Sequence, residues 1–307
     1  MSELYLENIS AANKVFSSLM LIKCRSVFEQ IADFPYAYIK GEALSFFAFK
    51  AYGNRYWSDI DILINKGMLK EIHSVLLNNG FKYNCLTKEE RVLHLAYSHQ
   101  TPSYTKQCEI IDINIIIDLN YDIFWGEYTG KRIDIDEFLS DTIVMDIYGV
   151  RVKTLPPLKA MVQLILHHYK DMNSIFLLAT RKSIKYDMFK DVYYLLKNNL
   201  DTITLDKLYA MSSRYEIIPY VFYILYHTGQ VFDDEILRQY IEAFKTPEGE
   251  ALLDYYGLCA KEQKKWKCDF KTRLEAENLY DLIKDDLTEK DKEKIAINKR
   301  VFLGVSE

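Results

Sequence analysis

Residues 55–64 read Arg55-Tyr56-Trp57-Ser58-Asp59-Ile60-Asp61-Ile62-Leu63-Ile64. From Ile60 to Ile64 apolar and acidic side chains alternate in the two-residue period of a strand. Residues i and i+2 of a strand face one side, about 6.6 Å apart. Asp59 and Asp61 therefore converge on one surface, with Ile60, Ile62 and Ile64 on the other. Two such carboxylates suit a hard divalent cation. Two cations about 3.5–4 Å apart can clamp the attacking and departing oxygens of a phosphoryl displacement. Upstream, Tyr36–Lys40 reads as a short strand, Gly41 punctuates it, and a helix follows at about 42–52. A glycine lets backbone amides approach a phosphate without a Cβ in the way, and the helix N-terminus favours an anion. Lys40 and Arg55 supply positive charge. A third carboxylate is expected from a neighbouring strand. In Glu109-Ile-Ile-Asp112-Ile-Asn114-Ile-Ile-Ile-Asp118, the residues Asp112, Asn114 and Asp118 share one face.

Working outward, residues 10–33 have near-helical apolar spacing, and 68–79 read as a helix ended by Gly80. Val92–Ser98 and Glu109–Asp118 read as strands around a polar loop containing Pro102. The second half changes character. Thr154-Leu-Pro-Pro looks like a helix start, with a Thr cap and prolines in the first turn. Helical segments are predicted from 158 onward and at about 187–199, 205–214, 217–227 and 233–245, with no strand after about 153. The expected organisation is α+β: an α/β domain over 1–153, with an N-terminal helix and a small mixed sheet, then an all-α domain over 154–307.

Composition narrows the class. The chain has 307 residues, 49% hydrophobic and 27% charged, which supports a sizeable core and excludes collagen-like or wholly disordered chains. A formal charge of −5 weighs against nucleic acid as a partner. The eight-residue run Val15–Ile22 is far short of the roughly 20 apolar residues that span a bilayer, so no membrane association is expected. Five scattered cysteines fit free thiols in a reducing, cytoplasmic setting.

The pattern Lys40-Gly41-x-Ala43-Leu44, then Arg55, then Ser58-Asp59-Ile60-Asp61-Ile62-Leu63-Ile64 resembles the uncharacterised nucleotidyltransferase family of bacterial proteins. That family lies within the polymerase-β-like nucleotidyltransferase superfamily. The resemblance implies Mg²⁺-dependent transfer of a nucleoside monophosphate from an NTP. Two ions are expected, with Mn²⁺ an alternative. Asp59 and Asp61 are implied as metal ligands and catalytic residues. Asp112 is implied as third ligand and base, with Asp118 the other candidate for that place. Lys40, Gly41, Arg55, Ser58 and His168 would contact the nucleotide. The sequence departs from the superfamily at Glu42, where a small residue usually follows the glycine. A carboxylate there would repel a triphosphate unless it points away along the helix.

Other features carry less. Adjacent His167 and His168 point about 100° apart on a helix, which disfavours joint ligation of one metal. Asp187 and Asp191 share a helical face, and Arg181-Lys182 are candidates for phosphate contact. Tyr223 and Tyr226, at helical spacing, read as core residues with wet hydroxyls. No Walker A loop, Gly-x-Gly-x-x-Gly or Gly-x-Ser-x-Gly motif occurs. The expected activity is nucleotidyl transfer, with ATP favoured, to a hydroxyl of a small molecule or other acceptor, releasing pyrophosphate. Two alternatives are a degenerate nucleotide-binding regulator and a toxin-like enzyme modifying tRNA or protein.

Overall fold

The structure is a computed structural model, and it describes residues 3–84, 87, 92, 98–110, 112–180 and 183–300. The chain divides into two compact units, Met1–Ile123 with Ile133–Ala160, and Phe124–Arg132 with Met161–Glu307. The division therefore differs from a single cut at 153/154. A loop of the first half joins the second unit, and the first turn of a long helix stays with the first.

The first unit opens with helices α1 (Glu3–Lys23) and α2 (Arg25–Gln30). They replace the single helix expected over 10–33. The Cys24 amide donates to the Leu21 carbonyl three residues back, which tightens the chain and breaks the run. The sheet strands are β1 (Tyr36–Ile39), β2 (Ile60–Ile64), β3 (Lys82–Tyr83), β4 (Tyr104–Cys108), β5 (Ile113–Asn120), β6 (Ile143–Ile147) and β7 (Val150–Thr154). Their order is β3-β4-β5-β2-β1-β7-β6, a mixed sheet in which β2 is antiparallel to β1 and parallel to β5. Helix α3 (Gly41–Phe49) joins β1 towards β2, α4 (Leu69–Asn78) follows β2, and α5 (Ile135–Leu139) precedes β6.

The central strand β2 is buried along its whole length. Its isoleucines are fully enclosed, as are Tyr36 and Tyr38 of β1 and Ile117 and Leu119 of β5. Burial on both faces is typical of a strand covered by helices on each side. The expected boundaries 60–64 are those observed. Strand β4 occupies what reads as a polar loop, and most of Val92–Ser98 lies outside the described residues. Thr154 does not cap a helix. It ends β7, and its hydroxyl donates to the Tyr38 carbonyl at 2.8 Å.

The second unit contains most of α6 (Pro157–Asn173), then α7 (Ile175–Thr180), α8 (Tyr186–Lys197), α9 (Leu205–Arg214), α10 (Ile218–Gly229), α11 (Glu235–Phe244), α12 (Pro247–Leu252), α13 (Phe270–Glu275), α14 (Tyr280–Ile283) and α15 (Glu289–Asn298). It is not purely α-helical. Tyr255–Tyr256 and Lys264–Lys265 pair as a two-residue antiparallel ribbon. Thr204, Asp234 and Thr246 cap α9, α11 and α12 through side-chain acceptors; α9 and α11 match the segments expected at 205–214 and 233–245, whereas α12 was not expected. No helix among the described residues is long and apolar enough to cross a membrane.

Candidate active site

Parallel register decides which acid joins Asp59 and Asp61. In the β2–β5 ladder Asp61 sits opposite Asp118, between the pairs Ile60–Ile117 and Ile62–Leu119. One carboxylate oxygen each from Asp59, Asp61 and Asp118 lies within 4.8 Å of the others. Asp112 does not belong to this group. It is exposed, in the β4–β5 turn, six residues before Asp118 and about 20 Å away along an extended chain. Strand β5 begins well before its pairing with β2, so its start lies away from the Asp-x-Asp end. The register thus brings Asp118, and not the expected Asp112, beside Asp59 and Asp61.

Neighbours hold Asp61 from both sides. Lys40 Nζ lies 3.0 Å from its Oδ2, and Asn120 Nδ2 donates to its Oδ1 at 3.0 Å. Asn120 is buried and also donates to the Asp118 carbonyl at 3.3 Å. Gln100 Nε2 reaches Asp118 Oδ2 at 3.5 Å, while Asp118 Oδ1 is buried with no hydrogen-bond partner among the described residues. Neither Asn120 nor Gln100 was singled out from sequence. Asn120 is legible only as the i+2 neighbour of Asp118.

The electrostatics are unfavourable for three bare carboxylates. Two like charges about 4.8 Å apart repel by roughly 3 kcal/mol at an effective dielectric of 20. Burial, then the charge of Asp61, pushes the Asp118 carboxyl up to about 7. Burial and Asp61 also raise Asp59, against the opposing pull of Lys40 and Arg55. Arg55 is half-buried and acts on Asp59 through space, whereas Ser58 is exposed. The all-oxygen donor set, with one oxygen unengaged, fits a hard divalent cation.

The turn feeding the site is built on Tyr38 and Glu42. Lys40 has φ 61° and Gly41 φ 44°, both left-handed. A Cβ at Gly41 would fall 1.8 Å from the Tyr38 hydroxyl oxygen. That oxygen accepts the Glu42 amide at 2.9 Å, so this amide is already engaged within the protein. Gly41→Ala combines a left-handed alanine with this clash. It is expected to lower stability by about 2–4 kcal/mol. Urea unfolding measures it, and a loss below about 0.5 kcal/mol would contradict this packing.

Glu42 itself points inward and is fully buried. Its Oε2 accepts the Gly53 amide at 2.9 Å, and its Oε1 accepts Trp57 Nε1 at 3.3 Å. Ser45 adds to the anchorage, donating to the Ala51 carbonyl and accepting the Asn54 amide. The segment leading into Asp59 is thus tied to the first turns of α3. The sequence-level objection to Glu42 disappears because its carboxylate serves this loop.

The remaining candidates belong to the second unit or fall outside the described residues. His168 is buried on α6 in the second unit. Contrary to the helical-wheel argument, ligand atoms of His167, His168 and Asp171 come within 4.8 Å of one another. Asp171 already has His167 Nε2 at 3.3 Å and Lys170 Nζ at 3.6 Å, which compensates its charge. Asp191 is buried and Asp187 exposed, both on α8 of the second unit. Arg181 and Lys182 lie outside the described residues, as does Cys85.

Among solved structures, the chain is similar to an antigenic nucleotidyltransferase-like protein from Paracoccidioides brasiliensis. Identity is 16%, the match covers 67% of this chain and 92% of that one, and the TM-score is 0.27. No curated protein matches the chain. The family model described as "Uncharacterised nucleotidyltransferase" matches residues 3–233. With most of its length matched, including the strands that carry the three carboxylates, the chain belongs to this uncharacterised nucleotidyltransferase family and is a transferase of that kind.

Proposed function

We propose that the protein transfers a nucleoside monophosphate from an NTP, with ATP the first donor to test, to a hydroxyl of a small-molecule acceptor. The observation that carries this reading is the convergence of Asp59, Asp61 and Asp118 beside Lys40. Three carboxylates facing two cations, Lys40 and Arg55, cannot receive a polyanionic triphosphate without further positive charge. Asp59, Asp61 and Asp118 would hold Mg²⁺, or Mn²⁺ in its place. When bound, the ions supply charge neutralisation and polarise the phosphoryl oxygens.

The chain's own groups account for the rest. Lys40 and Asn120 fix the Asp61 carboxylate by one contact on each oxygen. Asp118 offers a buried oxygen to take the acceptor's proton. The acceptor oxygen forms its bond to the α-phosphorus, the bond from that phosphorus to the bridging oxygen breaks, and pyrophosphate leaves with the electron pair. The inward-turned Glu42 weighs against a degenerate, non-catalytic reading.

The test supplies α-labelled NTPs with Mg²⁺ and fractionated cell metabolites to wild type and to Asp61→Asn. Label on a metabolite with equimolar pyrophosphate, absent with Asp61→Asn, is the expected result. Equal labelling by the variant would refute the assignment.

A further inference from the structure

The helical unit encloses a guanidinium. Arg273 of α13 is 3% exposed. Its Nε donates to the Asp269 carbonyl at 3.4 Å, and its plane lies 4.7 Å from the Trp266 ring centre and 5.5 Å from that of Phe270. Its Nη1 is buried with no hydrogen-bond partner, and no carboxylate among the described residues forms an ion pair with it. Asp269 feels its charge through space but turns Oδ1 to the Thr272 amide, 2.8 Å away. Ring stacking returns part of the desolvation cost of a cation. An enclosed charge with no counter-ion remains expensive.

Two further polar groups adjoin it. His227 of α10 is 1% exposed, and both ring nitrogens are buried without a hydrogen-bond partner among the described residues. Burial, and then the charge of Arg273, hold its imidazole well below the ordinary value, so it is neutral. Phe270 stacks on this ring at 4.3 Å. One helical turn earlier, Tyr223 meets the ring edge-on at 4.5 Å, with Arg273 and Asn173 beside its hydroxyl. The wet hydroxyl expected for Tyr223 is instead enclosed, at 0% exposure.

We propose that Arg273, His227 and Tyr223 form a binding site for an oxyanion, the phosphate or carboxylate group of a small molecule. The guanidinium fork matches such groups in two parallel hydrogen bonds. A neutral imidazole gives one N–H, and the phenol gives an O–H. Trp266 and Phe270 wall the guanidinium with aromatic surface, where charge-assisted hydrogen bonds are strongest. A structural arginine is ordinarily matched to a carboxylate, and none among the described residues plays that part here.

The experiment is equilibrium dialysis of the full chain against labelled inorganic phosphate and, separately, labelled acetate, at ionic strength fixed with chloride. Lys40→Met is the background, so that the acidic site loses the cation paired with Asp61. Saturable binding of one anion is expected, weakened at least about tenfold by Arg273→Met, which keeps length and ring contact, and by His227→Phe. Phosphate preference assigns a phosphoryl ligand and acetate preference a carboxylate. Absence of saturable binding of either anion to the Lys40→Met chain overturns the site, as does undiminished binding by both variants. Should Arg273→Met fail to fold, His227→Phe and the parent chain decide the question.

Discussion

Asp118→Asn is expected to abolish nucleotidyl transfer while making the metal-free protein more stable at pH 8, whereas Asp112→Asn leaves both properties unchanged. The loss of turnover should reach at least about 1,000-fold, the equivalent of about 4 kcal/mol of transition-state charge stabilisation. The stability gain follows from linkage. The Asp118 carboxyl is raised from 3.8 to about 7 in the folded chain, so between these values the native state binds a proton that the unfolded state has released. Native stability from this group is therefore present below pH 4 and is lost as pH rises to about 7, by about 4 kcal/mol in all. Asparagine carries no charge and escapes that loss. After allowing about 1 kcal/mol for weakened hydrogen bonds, the variant should be about 3 kcal/mol more stable at pH 8 and no more stable at pH 4. Thermal melts in EDTA at the two pH values measure this. A gain that ignores pH, or activity retained by Asp118→Asn but lost by Asp112→Asn, would reverse the assignment of the third acid.

Glu42→Ala is expected to cost about 3–5 kcal/mol, because it strands two buried donors, the Gly53 amide and Trp57 Nε1, at about 1–3 kcal/mol each, and leaves a cavity. Glu42→Gln retains an acceptor and should lose about half as much. Since the loop it ties runs into Asp59, activity of the alanine variant should fall even at temperatures where it remains folded. Urea midpoints read the stability, and a cost under about 1 kcal/mol would show that the carboxylate does not brace this loop.

The legible parts of the fold were those with a local signal. Strand β2 announces itself by period-two alternation, and α9 and α11 by caps placed before amphipathic runs. Strand β4 had no such signal, since Tyr104-Thr-Lys-Gln-Cys is polar and owes its conformation to the ladder with β5. The β6–β7 hairpin has a local cue in its turn. Tyr148 and Gly149 both take positive φ in a two-residue connection, the conformation that matches strand twist. Asp59 and Asp61 were readable because both lie on one short segment. The third acid was not, because its identity rests on inter-strand register, and period-two spacing alone gives Asp112 and Asp118 the same face of one expected strand. Glu42 was read as an obstacle, since its orientation depends on Gly53 and Trp57 folding back over it. The buried cluster around Arg273 joins residues from α6, α10 and α13, separations no local motif encodes.

The most direct test of the central claim is calorimetric titration of ATP, GTP, CTP and UTP into the full chain, with Mg²⁺ and with EDTA, for wild type and Asp59→Asn/Asp61→Asn. Binding of at least one nucleotide that requires Mg²⁺ and disappears in the double variant is the predicted result. Nucleotide binding that is indifferent to EDTA and intact in the double variant would contradict the account, as would no binding of any nucleotide to wild type.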